Sequence, residues 1–316
     1  MLTRNVQSIA KYNLKSLNNI NYFDIVVSIP IVIFLIYYVS TKGIRLSGEF
    51  VDLKKERSIW VDYMYVYAII SLVVLRGSSV ITVLIMLLSV AHLLAAERMR
   101  AFVYILSCLI IFYQIDKKKH QSTIILLAGF FIATALGILR IGDIQISDSY
   151  NVTHFGSVSI SSLYLLDESL SFTLIEEIKF FFGILTANLI PSSLLIEEYN
   201  IRLFLINAQD IPGGGWFPVW IYAVSGYSGL IFATILLAYY YKWLLCSKSE
   251  FVISKHEIAK YVMLVIFIST IPRWFMYTPY QVLKMPLYGY IGSLLLLNFI
   301  KLFSKERNDG QFKKRI

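Results

Sequence analysis

Apolar segments of roughly membrane-spanning length follow one another along most of this chain and constrain its fold more than any other feature. A helix needs about 17 to 25 predominantly apolar residues to cross the hydrocarbon core of a bilayer. Eight segments approach that length, near residues 24–40, 61–76, 78–96, 99–115, 121–139, 218–242, 258–272 and 282–300. The sequence therefore predicts an all-α fold, a polytopic transmembrane bundle of about eight spans, with residues 1–316 forming a single integral membrane domain.

The bulk composition agrees with a membrane environment. Hydrophobic residues make up 57% of the 316 and charged residues only 16%, with a mean hydropathy of +0.66. Such values are typical of integral membrane proteins. The net charge of +9 would favour a nucleic-acid partner in a soluble protein, but here the basic residues concentrate in short loops and in the tail. The positive-inside bias explains them, so we expect membrane lipid and no nucleic acid as a partner.

Basic residues also predict which side of the membrane each loop faces. The tail 301–316 carries six of them, which places it in the cytoplasm, and eight spans return the basic segment 1–23 to the same side. Residues 140–218 then form a large outer loop. The loop 41–60 departs from the bias, because it carries five basic residues on the predicted outer side.

The large outer loop contains a segment that resembles a span. From Ile141 to Phe217 it holds nine acidic residues and two basic ones, yet 180–196 is an uncharged run of 17 residues. A ninth span would put Lys117–Lys119 and the basic tail on opposite sides of the membrane. Asn188 and Pro191 also weaken a lipid-exposed helix. We therefore predict an interfacial or re-entrant element in this loop.

Four arginines lie at the predicted outer ends of spans, against the positive-inside bias. They are Arg98, Arg100, Arg140 and Arg273. One interpretation is that their side chains extend to lipid head groups. The other is a basic site for a diphosphate, since guanidinium groups bind phosphate oxygens in a bidentate, permanently charged manner.

Other outer-side residues complete the set of candidates. His154, Asp210, Asp143 and Asp148 are available as general bases, although each is also an ordinary solvated loop residue. Gly213, Gly214 and Gly215 permit a close backbone approach to a ligand, or simply form a turn. Trp216 and Tyr222 would stack on sugar rings or belong to an interfacial aromatic belt. No soluble-enzyme motif occurs, and the four histidines are too scattered for a metal cluster.

Two stretches carry arginines and glycines around the predicted spans. The first is Ala96-Glu-Arg-Met-Arg100, followed by a span, Asp116-Lys-Lys-Lys119 and another span that ends at Arg140. The second comprises Phe182-Gly183 through Ile190-Pro191, Gly213–Gly215 and Tyr222-Ala-Val-Ser-Gly-Tyr-Ser-Gly229, with Arg273 after Pro272. Together they resemble the bacterial O-antigen and related oligosaccharide repeat-unit polymerases, over roughly residues 67–300.

The resemblance implies a membrane glycosyltransferase of the bacterial inner membrane, with both termini cytoplasmic. A growing glycan would leave undecaprenyl diphosphate and join a new lipid-linked repeat unit, without a metal or another cofactor. The expected catalytic residues are Arg98, Arg273, Arg140, Asp210 and His154, and the expected substrate-binding residues are Arg100, Gly213, Gly214, Gly215, Trp216 and Tyr222. A chain-length regulator and a repeat-unit flippase are the expected functional partners.

Three alternatives stay open from the sequence. An O-antigen ligase would use a similar arginine-lined site. A flippase or transporter of lipid-linked sugars predicts ionisable residues in mid-span and an internal repeat, neither of which is evident. A purely structural membrane subunit gives no reason for the outward arginines.

Overall fold

The chain is almost entirely helical where its structure is described. A computed structural model describes residues 22–42, 59–75, 78–95, 97–115, 154–170, 172–190, 199, 215–245, 255–276 and 281–313. Within these ranges there are ten helices and no strand, which confirms the all-α class. The predicted span 121–139 and most of the basic segment 1–23 lie outside the described residues.

The helices follow the predicted apolar segments closely. They are α1 (Tyr22–Lys42), α2 (Ile59–Val74), α3 (Ser79–Leu94), α4 (Arg98–Ile115), α5 (His154–Ser169), α6 (Leu174–Ala187), α7 (Phe217–Leu245), α8 (Lys255–Ser269), α9 (Ile271–Met276) and α10 (Lys284–Lys313). Seven of the eight predicted segments thus correspond to described helices. The segment 258–272 is interrupted at Thr270, a turn that separates α8 from the short α9.

Two of these helices are long and apolar enough to cross a membrane. They are α1, through Asp24–Thr41, and α7 over its full length. Shorter apolar stretches occur in α2, α3 and α4, at Trp60–Val74, Ser79–Leu94 and Arg100–Ile111. The described helices therefore support a membrane protein, while they do not by themselves establish eight spans.

Helix α8 lies between two hydrophobic cores and joins them. The first core is built from α1 to α4 and α10, and receives Val262, Val265 and Ile266 from α8. The second is built from α5, α6, α7 and α9, and receives Leu264 and Phe267. A helix that is apolar around its circumference must be covered on all sides, which explains why α8 is central.

Two helices, α5 and α6, lie in the described part of the predicted outer loop. Helix α6 begins at a capping box, in which the Thr173 hydroxyl accepts from the Glu176 amide while the Glu176 carboxylate accepts from the Thr173 amide at 2.8 Å. It ends at Ala187, so it covers only part of the apolar run 180–196. A Cβ at Gly183 would lie 1.8 Å from the Tyr199 carbonyl oxygen, so only glycine allows this approach.

Helix α6 is too short to span a bilayer. At about 1.5 Å per residue, its 14 residues extend roughly 21 Å, against a hydrocarbon core of about 30 Å. Its exposed side chains include the apolar Leu174, Ile175, Ile178, Phe182 and Leu185. An interfacial or re-entrant role for this helix stays a prediction.

Helix α7 is broken by one residue. Gly226 has φ of 60° and ψ of −159°, a conformation that L side chains rarely adopt, and the helix continues on both sides of it. Tyr222 and Tyr227 flank the break with their rings in edge-to-face contact, 4.9 Å between centroids. The kink therefore falls inside the Tyr222–Gly229 element singled out from the sequence.

Candidate functional site

Four charged side chains from distant parts of the chain meet at one end of the first core. Asp62 is in the first turn of α2, Glu97 immediately precedes α4, Arg100 is in the first turn of α4, and Arg273 is in α9. We call these four residues the charged cluster. It forms because α2 and α4 begin where α3 and α8 end, so loop and helix-end residues converge.

Asp62 and Arg273 form a bidentate ion pair. Arg273 Nη1 donates to Asp62 Oδ1 at 2.6 Å, and Nη2 donates to Oδ2 at 3.1 Å. Arg100 Nε lies 3.9 Å from the same Oδ1, and Gln281 Nε2 lies 3.4 Å from Oδ2. Two guanidinium groups that are 173 positions apart in sequence therefore share one carboxylate.

Glu97 is the second acid of the charged cluster and accepts from three donors. Arg100 Nη1 lies 2.6 Å from Oε1, while Tyr38 Oη and His92 Nδ1 lie 2.8 Å and 2.9 Å from Oε2. Burial alone would raise the pKa of this carboxyl. The His92 hydrogen bond and the Arg100 guanidinium outweigh it, and they hold the pKa of Glu97 below its ordinary value.

The lowered pKa of Glu97 predicts a specific pH dependence of stability. A carboxyl whose pKa falls on folding stabilises the native state above its ordinary value of 4.5, and this contribution is lost as the pH falls further. Wild type should therefore exceed Glu97→Gln in stability by a constant margin above about pH 6, and this margin should shrink below about pH 4.5. Thermal unfolding followed by tryptophan fluorescence measures it. An equal margin at pH 3 and pH 7 would contradict the assignment.

A buried hydroxyl network extends inward from the charged cluster. The Tyr65 hydroxyl lies 2.9 Å from Ser107 Oγ and 2.5 Å from Ser269 Oγ, which links α2, α4 and α8. The Tyr104 ring packs edge-to-face on Tyr65 and stacks on His92 at centroid separations of 5.2 Å and 5.5 Å. These contacts fix the helix ends that carry the charges.

The charged cluster is partly exposed at the surface, whereas the side chains that pack beneath it are buried. The four charged side chains are between 16% and 24% exposed, while His92 is fully buried between Tyr38 and Tyr104. A ligand entering at this end would therefore meet the guanidinium groups and carboxylates first. The chemistry available is anion binding by arginine and proton acceptance by a carboxylate.

The structure brings together two of the four predicted arginines. Arg100 and Arg273 belong to the charged cluster. Arg98 is the first residue of α4, and His154 is the first residue of α5. Arg140, Asp210, Asp143, Asp148, Gly213 and Gly214 lie outside the described residues. The catalytic roles of all these residues remain predictions.

Of the two predicted aromatic residues, Trp216 lies where α7 meets α9, whereas the Tyr222 ring contacts Tyr227 within α7. The Trp216 amide donates to Ser162 Oγ at 3.0 Å, and its ring is in edge-to-face contact with Phe275 at 5.7 Å. The Gly215 carbonyl accepts from Trp220 Nε1 at 2.9 Å. Because Phe275 and Arg273 share the short helix α9, Trp216 is anchored to the helix that carries one arginine of the charged cluster.

Sequence reasoning missed both acids of the charged cluster. Asp62 is the single acid of α2, and Glu97 immediately precedes the two arginines in the first turn of α4. A lone acid within an apolar helix is a recognised sign of a functional or paired site, and that signal was present. The partners of Asp62 were not readable, because Arg273 is more than two hundred positions away.

Within the described ranges, no group of three or more His, Cys, Asp or Glu residues is placed to hold a metal ion. No family model, curated protein or solved structure matches this chain. The functional assignment therefore depends on the residues and their geometry.

Proposed function

We propose that this protein is a membrane glycosyltransferase that polymerises lipid-linked oligosaccharide repeat units. The observation that carries the proposal is the convergence of Arg100 and Arg273 on one carboxylate at a single end of the helix bundle. Guanidinium groups so placed suit a diphosphate leaving group. The resemblance to repeat-unit polymerases supports the same chemistry.

The exposed apolar faces support a membrane location. A core helix of a soluble protein is mostly buried, yet the apolar stretch of α1 is only 28% buried and that of α7 only 22%. The side chains that α7 leaves exposed include Ile231, Phe232, Ile235, Leu236 and Tyr239. Contiguous apolar surface of this extent calls for lipid. The full proposal is an eight-span protein of the bacterial inner membrane.

The arrangement of helix ends supports the proposed topology. The charged cluster gathers the carboxyl ends of α1, α3 and α8 and the amino ends of α2 and α4. Towards the other end of the bundle, Lys255 at the start of α8 donates to Asn298 of α10, and Lys260 of α8 lies over the Trp243 ring of α7. Spans that alternate in direction produce this segregation. With both termini cytoplasmic, the charged cluster faces the periplasm.

In the proposed reaction, the growing glycan is the donor and a new lipid-linked unit is the acceptor. The bond between the anomeric carbon and the diphosphate oxygen breaks, and its electron pair leaves with the diphosphate. An acceptor hydroxyl oxygen bonds to the anomeric carbon and releases its proton. Arg100 and Arg273 stabilise the charge that develops on the diphosphate, and each such contact contributes about 3 kcal/mol to transition-state stabilisation.

The charged cluster also bears on the alternatives. A flippase or transporter needs ionisable residues near the middle of the membrane, whereas these charges lie at helix ends. An O-antigen ligase shares the diphosphate leaving group and differs only in its acceptor. We propose a chain-length regulator and a repeat-unit flippase as functional partners of the polymerase.

Surface polysaccharide from a deletion strain tests the proposal. Cells lacking the protein should carry lipid core with a single repeat unit, and wild type should restore the ladder of longer chains on a gel. Arg273→Ala, expressed at the same level, should fail to restore it. Loss of the single unit as well would indicate a ligase or flippase, and an unchanged ladder in the deletion strain would contradict a role in polymerisation.

A further inference from the structure

The charged cluster contains its own counter-ions. At neutral pH, Asp62 and Glu97 carry two negative charges, and Arg100 and Arg273 carry two positive charges. Both guanidinium groups are therefore neutralised in this arrangement. An incoming diphosphate would have to compete with a carboxylate before it could bind.

The two carboxylates are held to different extents. Glu97 accepts from Arg100, Tyr38 and His92, and all three donors are within 2.9 Å. Asp62 is held by Arg273 and by a longer contact of 3.4 Å from Gln281, with Arg100 at 3.9 Å. An incoming anion would therefore displace Asp62 more readily than Glu97, because Glu97 has a hydroxyl and an imidazole donor besides its arginine.

We infer that Asp62 occupies the position of the substrate diphosphate and is displaced when that group binds to Arg273 and Arg100. A carboxylate and a phosphate offer a guanidinium the same pair of oxygen acceptors, and the Arg273–Asp62 pair already has this bidentate form. The ligand class is a diphosphate ester. Its identity as a polyprenyl-linked glycan rests on the proposed function.

Displacement gives Asp62 a second role. Once the guanidinium groups have turned to the diphosphate, its carboxylate no longer has them as counter-ions and is free to accept a proton. In the transfer step, the acceptor hydroxyl oxygen bonds to the anomeric carbon, the diphosphate leaves with the electron pair, and the hydroxyl proton passes to Asp62. The proton then returns to water as the ion pair re-forms. Base activation is thereby coupled to donor binding.

Gln281 stands beside the exchanging pair. Its Nε2 contacts Asp62 Oδ2, while its buried Oε1 has no hydrogen-bond partner among the described residues. Removing this side chain would loosen Asp62 without removing its charge. Gln281→Ala therefore provides a mild variant for the same test.

Binding of inorganic pyrophosphate to the purified, detergent-solubilised full chain tests the exchange. Asp62→Asn should bind pyrophosphate roughly tenfold more tightly than wild type, because Arg273 loses its counter-ion and Arg100 keeps only Glu97. Asp167→Asn, which removes an exposed acid on α5, should bind as wild type does. The gain should disappear in Asp62→Asn/Arg273→Ala. Unchanged or weaker binding by a folded Asp62→Asn protein would overturn the inference.

Two further measurements keep the inference testable and separate it from the proposed function. If Asp62→Asn does not fold, Gln281→Ala should still bind pyrophosphate about twofold more tightly than wild type, and weaker binding would overturn the inference. In the transfer assay, Asp62→Asn should lose activity, whereas Asp62→Glu should retain part of it. Full activity of Asp62→Asn would exclude Asp62 as the general base. If the deletion strain keeps its ladder, the polymerase proposal fails, while tighter pyrophosphate binding by Asp62→Asn would still establish the exchange.

Discussion

Replacing Arg273 by alanine should lower the rate of glycan polymerisation by about 100- to 1,000-fold, the loss expected when one preorganised charge-stabilising donor is removed. Arg273 contributes two parallel donors, at 2.6 Å and 3.1 Å from the Asp62 oxygens. The same two donors would contact the diphosphate oxygens as charge develops on them. The loss should appear in both KM and kcat, because Arg273 binds the diphosphate in the ground state and contacts it more strongly as charge develops in the transition state.

Two control variants distinguish the bidentate contacts of Arg273 from the effect of its positive charge alone. Arg273→Lys keeps one positive charge but loses the bidentate geometry, so its activity should lie between those of wild type and alanine. Arg307→Ala removes an arginine from the basic tail and should retain wild-type activity. Polymerisation should be measured with purified variants at equal protein amounts. Wild-type activity in Arg273→Ala would remove this residue from the proposed mechanism.

Replacing Glu97 by alanine should destabilise the protein by about 3 kcal/mol, the cost of removing one partner from a largely buried ion pair. Three donors would lose their acceptor together, namely Arg100 Nη1, the Tyr38 hydroxyl and His92 Nδ1. His92 is fully buried, so water cannot replace the lost acceptor there. For a chain of this size, we expect the unfolding midpoint to fall by roughly 5 to 10 °C.

A buried thiol provides the measurement. Cys108 is fully buried in α4 and becomes accessible to a thiol-reactive fluorophore when the bundle unfolds. The experiment uses a Cys246→Ser background so that Cys108 alone reports. Glu176→Ala, which removes an acid from the exposed start of α6, should lower the midpoint less, because an N-terminal capping interaction contributes only about 1 kcal/mol. Equal midpoints for wild type and Glu97→Ala would show that the Glu97 contacts contribute nothing to stability.

Much of the helical layout was predictable because it follows from local apolar composition. Seven predicted segments correspond to described helices. The segment 258–272 differs from its prediction only by the single turn residue Thr270, which separates α8 from α9. Helix α5 was not predicted, since its stretch alternates serines with apolar residues and lies in a loop rich in acids. Helix α6 was expected later in the chain, and the capping box at Thr173 explains its earlier start.

The charged cluster was only partly predictable. The parity of the predicted spans put Arg100 and Arg273 on the same side of the membrane, and the structure shows both at one end of the bundle. Their ion pairs with Glu97 and Asp62 depend on how α2, α4 and α9 pack. Helix packing brings together residues that are far apart in the sequence, so their contacts cannot be read from sequence spacing. The sequence suggested a general base in the long outer loop, whereas we propose Asp62 of the charged cluster for this role.

Reconstitution of the purified protein in liposomes tests whether it polymerises repeat units by itself. The liposomes contain a single lipid-linked repeat unit on undecaprenyl diphosphate, with no other protein present. We expect chains of several units together with one undecaprenyl diphosphate released for each new linkage, and neither product with Arg273→Ala. Substrate that stays as single units with wild-type protein, at a protein level that preserves folding, would contradict the assignment as a polymerase.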